Sequence, residues 1–158
     1  MMKNSTYVFM LLMCFSTCIS SLSAQTKVTQ KEKFQSTYNK SKSLVQNKRY
    51  QFQATIVFDG NKREKSKSTM AISNQKVSGE LTSFTENKVT FFVDDSKIKN
   101  YKTVFNDEKQ TILIQWNIKE GATTFDFTIE VKPNGSAILS TSQNNLEDLK
   151  WMGNLIKF

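Results

Sequence analysis

The 158-residue chain contains no histidine and only two cysteines, Cys14 and Cys18, both near its start. Without imidazole, Ser–His and Cys–His nucleophile pairs are excluded. Zinc, copper and haem sites lose their usual ligands as well. One proline and five glycines are too few for a flexible linker or low-complexity tract. No GxSxG, P-loop or GxGxxG pattern occurs. The longest apolar run, Tyr7 to Phe15, has nine residues. A membrane-spanning helix needs roughly 20.

That run follows Lys3 and gives way to small residues and then to "SLSAQTK". The pattern predicts a secretory signal peptide over residues 1–24. Ala24 supplies the small side chain before the cut, with Leu22 two residues earlier, and Ser21 with Ser23 is the other available pair. Gln25 is then the mature N-terminus, and the expected location is the periplasm or the exterior. The rival reading is a lipoprotein anchored at Cys18. There "FSTC" puts Phe15 and Thr17 where such sites favour a small aliphatic residue and Gly or Ala. Cys14 fits worse, because Met13 precedes it and the apolar core would be cut short.

Removing residues 1–24 leaves 134 residues, a size suited to one domain with a single core. Both cysteines would go with the leader, so this domain must fold without disulfides. Its 21 Lys and Arg against 14 Asp and Glu give a charge of +7. Such a balance attracts anionic lipid, polysaccharide or nucleic acid, or simply keeps an exported protein soluble. No recognised nucleic-acid motif accompanies it, and solubility is the expected role.

Residues 29–48 place Phe34, Tyr38, Ser41 and Val45 on one narrow helical face, with Leu44 beside them. The period then changes to two. Tyr50, Phe52, Ala54, Ile56 and Phe58 alternate with mostly polar partners, as in a half-buried strand. "DGN" (Asp59 to Asn61) turns the chain, and "KREKSK" reads as exposed loop or strand edge. Met70 with Ile72, then Val77 with Leu81, mark two more strands. "VTFFV" (Val89 to Val93) precedes an expected turn at Asp94-Asp95-Ser96, and Tyr101 to Phe105 precede the polar turn "NDEK". Ile112, Ile114, Trp116 and Ile118 share a face, as do Phe125, Phe127, Ile129 and Val131. A two-residue loop between them sets the two rows opposite each other. In "KPNG", Pro133 and Asn134 suit a type I turn and Gly135 the left-handed position after it. A bulge there sets Val131 against Ala137 and Ile129 against Leu139. The final strand includes Trp151 and Leu155.

The arrangement resembles the domain-of-unknown-function family numbered 4251, small exported proteins of Gram-negative bacteria. The resemblance rests on a leader, then "LVQNKRYQFQA", "VSGELTSFTENKVTFF", "FTIEVKPNGSAILSTSQNN" and "LKWMGNLIKF". That family usually carries an "LPYFG" stretch. Here Leu81-Thr82-Ser83-Phe84-Thr85 keeps the Leu and Phe and lacks the Pro and Gly. The resemblance implies a fold and export, and no activity. The expected fold class is α+β, mainly β. One N-terminal helix packs on an antiparallel meander sheet, which stays open or curls toward a barrel or sandwich.

Three acidic pairs, Asp94-Asp95, Asp107-Glu108 and Glu147-Asp148, invite comparison with glycoside hydrolases. Such enzymes hold two carboxylates about 5 to 9.5 Å apart across a cleft. Each pair here falls in an expected turn or loop near lysines, where solvated charge is the ordinary outcome. Asp126 and Glu130 alternate with Phe125, Phe127, Ile129 and Val131, and so point away from the core. No residue is therefore assigned a catalytic, cofactor-binding or metal-binding role, and no cofactor is expected. The function read from the sequence is an exported non-catalytic protein that binds a ligand or envelope partner through its sheet. The alternative is a carboxylate-dependent polysaccharide hydrolase.

Lys27 to Arg49 holds seven Lys and Arg against Glu32 alone, as a membrane-surface or polyanion-binding helix would. At about 100° per residue, however, the cations flank the apolar stripe rather than forming a row opposite it. The stripe is narrow and contains a serine. The expectation is packing on the sheet through Phe34, Tyr38 and Val45, no stable membrane insertion, and weak polyanion binding lost at moderate salt.

Overall fold

The computed structural model describes residues 29–82, 91–142 and 149–157. The expected leader, both cysteines and the Glu147-Asp148 pair lie outside these residues. Among the described residues one helix, α1 (Gln30–Gln46), precedes ten strands: β1 (Arg49–Asp59), β2 (Lys62–Lys65), β3 (Thr69–Ser73), β4 (Lys76–Leu81) and β5 (Phe91–Lys97), then β6 (Lys99–Asn106), β7 (Thr111–Glu120), β8 (Thr123–Val131), β9 (Ser136–Thr141) and β10 (Leu149–Ile156).

The strands form one antiparallel sheet in the order β5-β4-β3-β1-β10-β9-β8-β7-β6, with β2 paired to β1. Only Ile98 separates β5 from β6, although these are the two ends of that order. Every pairing along the path is antiparallel, so β5 and β6 run in the same direction. They are one bent strand. Its first half pairs with β4, its second with β7, and this curls the sheet into a nearly closed barrel. The bend is made by two bulges. Asp95 (φ 49°) and Asn100 (φ 52°) adopt left-handed backbone where the registers with β4 and β7 shift. The turn expected at Asp94-Asp95-Ser96 is therefore a bulge inside a strand.

β2 and β3 likewise form one interrupted partner for β1. The interruption is held by buried hydroxyls: Ser66 Oγ donates to Ser68 Oγ at 2.8 Å, and the Thr82 amide donates to Ser68 Oγ at 2.7 Å. Counting β5 with β6 and β2 with β3 leaves eight strands of the ten. Eight strands close to a width that side chains fill, or that holds one small ligand.

The β7–β8 hairpin has the expected register. Ile112, Ile114, Trp116 and Ile118 face Val131, Ile129, Phe127 and Phe125 across a Gly121-Ala122 loop. The β8–β9 turn also forms as expected, with Val131 opposite Ala137 and Ile129 opposite Leu139. Gly135 there has φ 85°, and a Cβ on it would stand 2.8 Å from the Thr37 methyl of α1. Alternation predicts β1 correctly only as far as Ala54. An extra residue, Thr55, shifts the register with β10 between Ala54 and Ile56, and a one-residue shift exchanges the two faces. Val57 is thereby buried, while Ile56 and Phe58 are half-buried on the outside.

The core runs through the barrel interior, from Tyr50, Phe52, Met70 and Ile72 to Trp151, Phe127 and Leu139. Across it, the Tyr50 and Tyr101 hydroxyls meet at 3.2 Å, and burial raises both phenols above their ordinary pKa.

A capping box starts α1: the Glu32 amide donates to Thr29 Oγ1, and the Thr29 amide to Glu32 Oε2. These bonds lower the Glu32 pKa and satisfy otherwise orphaned amides. Tyr38, Ser41 and Val45 are buried as expected. Phe34 is not: it is half-buried, with the Lys33 ammonium 5.5 Å from its ring centre. The helix is held instead by the β6–β7 turn. There the buried Gln110 side chain donates to the Lys31 carbonyl and to Gln35 Oε1, both at 2.9 Å.

Candidate functional site

Residues one apart on a strand face opposite ways, so the partners of the buried row in β8 and β9 make an outer face. Pairing sets Thr128 beside Ser140, Ser140 beside Lys150, and Lys150 beside Phe58. One step along, the Ser142 amide donates to the Asp126 carbonyl at 3.2 Å, and Ser142 Oγ lies 3.3 Å from Asp126 Oδ2. Asp126, Thr128, Ser140, Thr141, Ser142 and Lys150 line a groove of about 310 Å³ over β8, β9 and β10. It offers one carboxylate, one ammonium and several hydroxyls on a rigid sheet. These groups can hydrogen-bond a polar ligand. The two-acid chemistry of a glycosidase needs a second carboxylate, and the described lining holds only Asp126.

Among the described residues, the acidic residues noted in the sequence are not brought together. Asp95 pairs with Lys76 and Glu130 with Lys132, each at the surface. Asp107 accepts from Tyr38 Oη and from Lys42 Nζ, both at 2.6 Å. Those two hydrogen bonds, Lys42 foremost, hold its carboxyl below the ordinary range. A general acid needs the opposite shift. Glu108 is exposed beside it. Among the described residues, no group of three or more Asp, Glu, Cys or His is placed to hold a metal. No helix among them is long and apolar enough to cross a membrane.

A second groove of about 490 Å³, lined by Ser43, Leu44, Asn47, Arg49 and Lys157, lies beside the C-terminal turn of α1. Its two cations are exposed, so any attraction they exert on an anion is screened within about 10 Å at 0.1 M salt. It is the weaker candidate.

Of the groove residues, only Asp126 was singled out by sequence pattern. Thr128 and Ser140 were within reach of the same argument, since the bulge that pairs Ile129 with Leu139 also pairs Thr128 with Ser140. Lys150 was not, because no turn signature sets the register of β10.

The family model for the domain of unknown function DUF4251 matches residues 32–155. The chain belongs to this family. A comparison with curated proteins finds no match. Among solved structures, the chain is similar to a DUF4251 family protein from Bacteroides eggerthii. The two share 10% sequence identity and a TM-score of 0.64, over 77% of this chain and 88% of the other. At that identity the likeness concerns the fold alone. The overall fold is thus common to two DUF4251 sequences that are only 10% identical.

Proposed function

We propose that this DUF4251 protein is exported, is not an enzyme, and binds a ligand of the cell envelope through its sheet at the β8–β9–β10 groove. The observation that carries the reading is the lining of that groove: Thr128, Ser140 and Ser142 between the Asp126 carboxylate and the Lys150 ammonium. Hydroxyls flanked by one charge of each sign suit a ligand that is itself rich in hydroxyls, such as a saccharide. Phe58, half-buried beside Lys150, adds an apolar surface of the kind sugar rings rest on. Export rests on the short apolar run and small residues before Gln25.

The test uses the chain beginning at Gln25 and a panel of oligosaccharides, followed by backbone NMR shifts and by product analysis. Saturable shifts at Ser140 and Ser142 without new products, weakened at least tenfold by Asp126→Ala, are expected. Turnover abolished by one Asp or Glu substitution would establish the hydrolase instead. Neither binding nor turnover across the panel would remove the groove as a ligand site.

A further inference from the structure

Two rows of outward side chains run side by side across β8, β9, β10 and β1, and they differ in kind. Thr128, Ser140, Lys150 and Phe58, each opposite the next, edge the groove. Two residues along each strand, and on the side away from Asp126, Ile138 stands opposite Met152 and Met152 opposite Ile56. These three are half-buried, as is Phe58. An apolar strip therefore borders the polar groove. The β1 bulge makes it. Thr55, the extra residue, donates its hydroxyl to the Met152 carbonyl at 3.2 Å, and beyond it Ile56 and Phe58 face outward. Regular alternation from Ala54 would have buried both. Instead two large apolar side chains stay partly in water and forgo some of the gain of burial. The strip is bounded by charge at each end. Glu130, paired with Lys132, stands opposite Ile138, and Lys65 stands opposite Ile56.

We propose that the ligand of the outer groove is a saccharide carrying an alkyl or acyl chain. The sugar lies over Thr128, Ser140 and Ser142, and the chain runs along Ile138, Met152 and Ile56. This inference rests on the groove being a saccharide site. Neighbouring strands are about 4.8 Å apart, so the strip from β9 to β1 is roughly 10 Å long, about the reach of an eight-carbon chain. It is far smaller than the roughly 800 Å² a side that a stable protein partner covers. A chain tethered to a sugar needs no such area, because the groove holds it in place. Met152, at the centre, has an unbranched side chain that adapts to an apolar neighbour of varied shape. Covering the strip with even a couple of methylenes is worth about tenfold in affinity.

The experiment titrates the chain beginning at Gln25 with methyl β-glucoside, with octyl β-glucoside below its micelle concentration, and with 1-octanol. Octyl glucoside should shift the Ser140 and Ser142 amides and the methyl groups of Met152 and Ile138 together. It should bind roughly tenfold or more tightly than either methyl glucoside or 1-octanol. Met152→Gln should erase most of that gain, and Ile138→Thr serves if Met152→Gln does not fold. Equal affinity of the two glucosides, with shifts at Ser140 and Ser142 alone, would overturn the inference and leave the groove standing. If 1-octanol matched octyl glucoside while Ser140 and Ser142 stayed unmoved, the inference would fall together with the groove as a saccharide site. No response to octyl glucoside would overturn the inference whatever the oligosaccharide panel shows.

Discussion

Tyr38 Oη donates to Asp107 Oδ1 at 2.6 Å, tying the helix to a turn 69 residues further along the chain. Lys42, one helical turn after Tyr38, reaches the same oxygen, and its ammonium stands 5.7 Å from the Tyr38 ring centre and 5.4 Å from that of Phe105. One exposed carboxylate thus gathers two helical side chains over the end of the barrel. Because its pKa is depressed on folding, the stability it contributes is present above the unfolded value near 3.9 and is lost as pH falls through the folded value. Asp107→Asn should lower the melting temperature at pH 6. The gap from the unsubstituted protein should narrow as pH falls below the unfolded value, about 3.9. A gap of equal size at every pH would mean that charge plays no part.

The bent strand depends on left-handed backbone at Asn100. Asn and Gly adopt it readily, whereas a β-branched residue does not. Asn100→Val should cost about 1–3 kcal/mol in urea unfolding, while Asn100→Gly should stay within about 1 kcal/mol. Similar losses for both would show that the Asn100 side chain, not its backbone, is needed.

Gly153 opposes Ala54 beside the β1 bulge, where a Cβ would fall 1.8 Å from the Gln53 carbonyl oxygen. Two paired strands cannot separate there without losing ladder bonds. Gly153→Ala should therefore destabilise by about 3 kcal/mol, at the upper end of overpacking costs. Unchanged denaturation would mean that β10 does not lie this close to β1.

The basic helix face is a solvated one. Lys33 and Lys40 are exposed and make no ion pair. Replacing both with Gln should change stability by less than about 0.5 kcal/mol. Phe34→Asp should cost less than Tyr38→Ala, because only Tyr38 is fully buried. Parallel thermal melts settle the order.

Much of this barrel was legible because turn chemistry and alternation agreed. Gly121-Ala122 and the KPNG turn set the registers of β7, β8 and β9, and with them every inward side chain of those strands. Where an extra residue enters a strand, alternation fails without any local warning. Thr55 inverted the outer half of β1, and Asp94-Asp95 read as a turn because its polar composition matches one. The joining of β5 to β6 is a property of the whole sheet and has no local signature. The groove was half legible: Asp126, Thr128 and Ser140 follow from the hairpin register, but Lys150 depends on how β10 returns. Phe34 failed for another reason. Helical spacing says which residues share a face, not how deeply each sits against the sheet.

The tyrosines provide the last prediction. The sequence from Gln25 onward has three, Tyr38, Tyr50 and Tyr101, and folding raises the pKa of all of them. Burial is the leading cause in each, aided at Tyr38 by the hydrogen bond to Asp107 and at Tyr50 by Tyr101. A raised phenol contributes stability that is complete below the unfolded pKa, about 10, and is lost as pH rises through the folded value. Absorbance of the folded protein near 295 nm should therefore stay almost flat through pH 10. Phenolate should then appear steeply, together with the loss of secondary structure. In urea the same three residues should titrate about a midpoint near 10. An ordinary phenol titration in the folded protein would show that the Tyr50–Tyr101 pair is open to water, and that the barrel is not closed around it.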